Sequence, residues 1–173
     1  MLYWLFYEVL YHYYSPLRLF GFVTFRTAVA SLAALAISIV LGPWLIAKLR
    51  QFQVGQHIRE DGPQSHHKKA GTPTMGGVLI VISVVVPTLL LTNLANPQVW
   101  IALFGMVSFG AIGFYDDFLK VQRKRNLGLT ARQKFSLQIL AALVVGLLLL
   151  ILHSQGRYNT AMNVPFFKDF KPN

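Results

Sequence analysis

Three stretches of the chain carry no Asp, Glu, Lys or Arg: Thr27 to Ala47, Ala70 to Tyr115 and Phe135 to Gly156. About 20 helical residues cross a bilayer, so the outer stretches suffice for one crossing each and the middle one for two. The middle stretch is broken at "TNLANPQ", Thr92 to Gln98, where Asn and Pro mark a tight turn between helices. The pattern therefore predicts an all-α integral membrane chain, residues 1–173 forming one membrane domain with spans near 24–47, 74–92, 98–117 and 131–152.

Composition agrees: 54% of residues are hydrophobic, 13% are charged and the mean hydropathy is +0.49, outside the usual soluble range. A formal net charge of +10 raises the question of nucleic acid, but the placement of the cations answers it. Lys48, Arg50, Arg59, Lys68 and Lys69 lie between the first two spans, and Lys120, Arg123, Lys124, Arg125, Arg132 and Lys134 between the last two. These two connections, near 48–73 and 118–130 with the adjoining helix ends, share one side of the membrane because a helical hairpin joins them. They hold eleven of the sixteen cations, so the positive-inside rule makes that side cytoplasmic and puts the N-terminus outside. No nucleic-acid partner is expected.

The first residues, "MLYWLFYEVLYHYYSPLRLFGFVTFR", lack the basic start and small-residue cleavage site of a secretory signal. Their aromatic density suits a helix lying in the headgroup region as an anchor. With no cysteine, disulfide and thiol chemistry are excluded. His57, His66 and His67 share a loop without the i, i+4 spacing of a helical metal site and read as polar loop residues.

Candidate chemistry gathers at the cytoplasmic edge. In "HHKKAGTPTMGG", Thr72 is suited to cap a helix and Pro73 to occupy its first position. The positive end of that helix, behind Lys68 and Lys69, favours a phosphate; a capped helix with interfacial lysines and a small-residue packing face fits equally well. "TARQ", Thr130 to Gln133, fits a capping box, yet Arg132 and Lys134 stand in the first turn, where the helix dipole disfavours cations. A bound anion or positive-inside anchoring explains them.

Asp116 and Asp117 end the third span, and ionisable groups at a membrane span point to function by default. Lys120 is four residues from one and three from the other, so it can reach either, and a purely structural ion pair is the bland reading. Neighbouring helical positions diverge by about 100°, which argues against a symmetric clamp and for separate roles: one acid facing a metal or nucleophile, the other holding it or binding a lysine. Oxygen ligands beside phosphate suit Mg²⁺. Acids confined to one edge argue against a proton relay through the membrane.

The segments "VGQHIREDGPQSHHKKAGTPTMGG", "GFYDDFLK", "NLGLTARQK" and "VPFFKD" occur in an order that resembles the N-terminal part of the phospho-N-acetylmuramoyl-pentapeptide-transferases, members of the polyprenyl-phosphate hexose-1-phosphate transferase superfamily. The resemblance implies a multi-pass enzyme of the bacterial cytoplasmic (inner) membrane with its site facing the cytoplasm. It implies transfer of phospho-N-acetylmuramoyl-pentapeptide from UDP-N-acetylmuramoyl-pentapeptide to undecaprenyl phosphate with Mg²⁺, giving lipid I and UMP in peptidoglycan synthesis, and leaves room for a homodimer. Carried over by position, Asp116 and Asp117 match the first acidic motif and are the expected catalytic residues, with Asp117 a metal contact. Lys69 and Thr74 match the nucleotide-side loop, and Lys120 and Lys134 the cytoplasmic lysines that bind substrate. The family's later aspartate, asparagine and histidine motifs are absent, so an incomplete copy, inactive alone, is expected. A sister enzyme transferring N-acetylglucosamine-1-phosphate and a non-catalytic membrane module are the alternatives.

Overall fold

The computed structural model describes residues 2–52, 75–123 and 127–158. Four α-helices dominate them: α1 (Val23–Phe52), α2 (Gly77–Leu91), α3 (Pro97–Arg123) and α4 (Ala131–Ser154), with no strand among the described residues. α1, α3 and α4 are long and apolar enough to cross a membrane. At 1.5 Å per residue they extend about 45, 40 and 36 Å, beyond a hydrocarbon core of about 30 Å. α2, with 15 residues, is shorter.

The helix limits differ from the expected spans for local reasons. α2 opens at Gly77 rather than at Pro73, because Met75 adopts a left-handed φ of 72° that cannot continue a helix. The expected cap, Thr72 and Pro73, lies outside the described residues. α3 continues through what was expected to be loop as far as Arg123. Lys120 and Arg123 sit in its last turn, where cations complement the dipole, and Lys120 pairs with both aspartates one turn back.

The "TNLANPQ" turn forms as expected. The side-chain oxygens of Asn93 and Asn96 accept hydrogen bonds from the amides of Ala95 and Gln98, each at 3.0 Å. Pro97 takes the first helical position of α3, where its missing N–H costs nothing. Trp100 Nε1 donates to the Leu94 carbonyl at 2.8 Å and fixes the turn against the helix. At the far end, α4 closes on Gly156, whose φ of 67° lets its amide reach the His153 carbonyl while the Arg157 amide reaches that of Leu152, each at 2.9 Å.

Successive helices pack on one another, α1 on α2, α2 on α3 and α3 on α4. Small residues permit the approach: a Cβ at Gly110 of α3 would lie 2.8 Å from Val81 Cγ2 of α2, closer than side chains pack. The apolar exterior stays largely uncovered, which suits helices facing lipid or further protein.

The N-terminal segment is not the single helix expected. A π-helical turn (Trp4–Val9) and two 3₁₀ stretches (Leu10–His12 and Ser15–Gly21) fold it back on itself. Tyr3, Tyr7 and Tyr11 stack in series, while Phe20 contacts Phe6 and Phe25.

Candidate functional site

The start of α2, the end of α3 and the start of α4 meet around Asp116 and Asp117. Asp116 is 6% exposed, and a buried carboxylate at a membrane edge survives only if its oxygens are matched by donors. Its Oδ2 lies 2.8 Å from Lys120 Nζ and 3.6 Å from Lys134 Nζ, and its Oδ1 accepts the Leu129 amide at 2.9 Å. Asp117, more open to solvent, accepts from the same Lys120 Nζ through Oδ1 at 2.8 Å and from the Met75 amide through Oδ2 at 3.1 Å.

One ammonium thus bridges both acids. The 100° divergence between adjacent positions does not prevent this, because Lys120 sits one turn on, at i+3 from one acid and i+4 from the other. The remaining oxygens do diverge. Asp116 reaches across to the entrance of α4, and Asp117 to the entrance of α2. Met75, an unbranched residue in a conformation that favours glycine, is held there by the Asp117 hydrogen bond.

The approach of the α4 entrance depends on Gly128. A Cβ there would stand 2.5 Å from both the backbone oxygen and Oδ1 of Asp116. Two residues on, Thr130 caps α4: its hydroxyl accepts from the Gln133 amide at 3.3 Å, and Gln133 Oε1 accepts from the Thr130 amide at 3.1 Å, the predicted capping box. Lys134 stands in the first turn of this helix, a position its dipole disfavours, and the Asp116 carboxylate lies opposite it. The conflict seen in the sequence is therefore relieved in part by protein.

Lys120 and Lys134 retain 31% and 43% of their side-chain exposure, so both ammonium groups face accessible space. Beside Gly76 and Gly77 no atom of the described residues comes within 4 Å of where a Cβ would stand, so none of the described helices packs against the α2 entrance there. Of the six residues expected at the site, the structure gathers Asp116, Asp117, Lys120 and Lys134 into one cluster. Lys69 and Thr74 lie outside the described residues.

A family profile described as phospho-N-acetylmuramoyl-pentapeptide-transferase signature 1 matches residues 69–81, the approach to and first turn of α2. Proteins named phospho-N-acetylmuramoyl-pentapeptide-transferase from Acidobacterium capsulatum and Koribacter versatilis are each 56% identical, over 172 and 174 residues. One of the same name from Solibacter usitatus is 57% identical over 172 residues. The chain is similar to the N-terminal part of the phospho-N-acetylmuramoyl-pentapeptide-transferases. Each alignment takes in 99% of the chain and 46% of the relative, so the chain spans about half the length of the curated relatives it matches.

The donor set fits a hard divalent cation only in part. Among the described residues no group of three or more His, Cys, Asp and Glu side chains comes together. Mg²⁺, however, typically takes one or two carboxylates, completing its shell with phosphate oxygens and water. Asp117, less buried than Asp116 and with lone pairs remaining beside its two donors, is the carboxylate whose chemistry suits that role.

Sequence reasoning found both acids and both lysines but missed three backbone partners: the amides of Met75 and Leu129, and Gly128. Only Gly128 left a trace, as a glycine just ahead of a capping box; the other two are tertiary contacts with no local signal.

Proposed function

We propose that this segment supplies part of the cytoplasmic-edge site of an enzyme that transfers phospho-N-acetylmuramoyl-pentapeptide from its UDP-linked form to undecaprenyl phosphate. The observation that carries the reading is the bridging of Asp116 and Asp117 by Lys120, with Lys134 beside them, at the end of a span-length apolar helix. A lipid phosphate reaches such a site laterally and a soluble nucleotide reaches it from the cytoplasm. In the transfer, an oxygen of undecaprenyl phosphate bonds to the sugar-bearing phosphorus as the bond from that phosphorus to UMP breaks.

In this reading Lys120 and Lys134 neutralise phosphate oxygens, and Asp116 fixes both lysines and the α4 entrance. Asp117 serves as the site's contact with a divalent ion. The cluster of two carboxylates and two ammonium groups is close to neutral, so arriving phosphates bring negative charge that it does not offset. A divalent cation held by Asp117 would supply the compensating positive charge. Catalysis by such a site rests on placement and electrostatics. The family resemblance assigns Lys69 and Thr74 to binding the nucleotide, and the positive-inside distribution supports a cytoplasmic cluster and an external N-terminus.

The test uses an intact polypeptide that contains this segment, supplied with undecaprenyl phosphate and either UDP-N-acetylmuramoyl-pentapeptide or UDP-N-acetylglucosamine. Mg²⁺-dependent UMP release with the first donor alone is expected. Release with the second donor alone would assign the segment to the sister reaction, and none with either would remove the catalytic reading.

A further inference from the structure

At the end of the bundle away from the aspartates, where α1 begins, α2 ends and α3 begins, a cavity of about 420 Å³ opens. Its walls are apolar and include Ala30 and Ala34 of α1 with Pro87 and Leu91 of α2. Arg26, Asn93 and Asn96 contribute polar groups to its lining. The bordering hydroxyls are spent within their own helices: Thr27 donates to the Val23 carbonyl, Ser31 to Thr27 and Thr88 to Val84. Both asparagines turn their side-chain oxygens to backbone amides, and the described residues offer their amino groups no acceptor.

Arg26 is the least satisfied member. Its guanidinium lies 4.3 Å from the centre of the Tyr3 ring, and its Nε is buried without a hydrogen-bond acceptor. No carboxylate among the described residues pairs with it, and it occupies the first turn of α1, where the dipole disfavours a cation. A buried donor left unmatched is costly. Arg26 and the two asparagine amino groups therefore bring unmatched donors and positive charge to a cleft otherwise lined mainly by aliphatic carbon.

We propose that this cavity binds one anionic phospholipid, with its phosphate on Arg26 and the amino groups of Asn93 and Asn96 and an acyl chain between Ala34 and Leu91. A soluble anion would meet the donors but leave the apolar walls bare. An apolar helix from a second chain would cover the walls but leave the guanidinium without its counter-charge. An amphipathic anion matches both halves. The site is separate from the aspartate cluster and does not depend on the catalytic reading.

Native mass spectrometry of the protein, released from bilayers of equal phosphatidylglycerol and phosphatidylcholine, tests this. One retained phosphatidylglycerol is expected, enriched about fivefold over phosphatidylcholine, the discrimination of one basic residue at an anionic surface. Arg26→Gln removes the enrichment, Arg26→Lys retains most of it, and Arg18→Gln, at an exposed cation, leaves it unchanged. Ala34→Leu narrows the cleft with Arg26 intact and lowers retention of the lipid, which keeps the test decisive if Arg26→Gln fails to fold. Unchanged enrichment in folded Arg26→Gln, unchanged retention in Ala34→Leu, or displacement of the lipid by millimolar inorganic phosphate would overturn the assignment. So would a cross-linker at Ala34→Cys, unambiguous in a chain without cysteine, that captures a second protein chain in place of lipid.

Discussion

Gly128 lies against Asp116 so closely that a Cβ on the glycine would stand 2.5 Å from the aspartate's backbone oxygen. The need is for space and not for unusual backbone geometry, since Gly128 is not among the positive-φ residues. Gly128→Ala must push the α4 entrance away and break the hydrogen bond from Leu129 to Asp116. Overpacking of this kind costs about 1–3 kcal/mol. A lowered thermal midpoint in detergent is expected, with a smaller drop in Asp116→Asn, which keeps the shape and one acceptor oxygen.

The two lysines are unequal partners. Lys120 touches both carboxylates at 2.8 Å, whereas Lys134 is 3.6 Å from one and more exposed. Lys120→Met strands two acids and is expected to destabilise by about 1–3 kcal/mol, between the values for exposed and buried pairs. Lys134→Met is expected to cost under about 1 kcal/mol. Equal losses in denaturant titrations would mean that Lys120 does not bridge the acids.

The cap of α4 offers an independent check. Thr130→Ala removes the acceptor for the Gln133 amide and is expected to cost about 1 kcal/mol. Thr130→Ser retains the hydroxyl and most of the stability. Hydrogen exchange read at Ala131 to Lys134 distinguishes the two, with faster exchange in the alanine variant only.

How much of this was readable beforehand follows from which forces act locally. The charge-free stretches, the Asn-Pro turn and the Thr130–Gln133 box depend on neighbours within a few positions, and the helices, turn and cap form where those signals lie. Lys120 was foreseen as a partner for either acid; that it serves both follows from one turn of helix. Met75 was not legible, because its left-handed backbone is held by an aspartate 42 residues away. The late start of α2 was missed for the same reason, whereas the extension of α3 rests on the Lys120 pairing that the sequence allowed without fixing where the helix ends. At the site, the sequence identified the charged side chains, but the backbone amides that orient them come from two other helix entrances.

Helix spacing gives a fourth prediction. Gly110→Val places new methyl groups against Val81 and is expected to lower stability by about 1–3 kcal/mol. Val81→Ala should recover part of that loss when combined with it. Additive losses in the double-mutant cycle would show that the two side chains do not meet.

The most direct measurement of the catalytic reading is the rate of Mg²⁺-dependent UMP release by an intact polypeptide carrying this segment, compared with its Asp116→Asn, Asp117→Asn variant. Helicity and lipid retention are checked alongside, so that loss of fold is separated from loss of chemistry. Removal of charges that hold lysines and a divalent ion is predicted to lower the rate about a hundredfold or more in folded protein. A folded double variant that releases UMP at the unaltered rate would reduce the two acids to a clasp between helix ends.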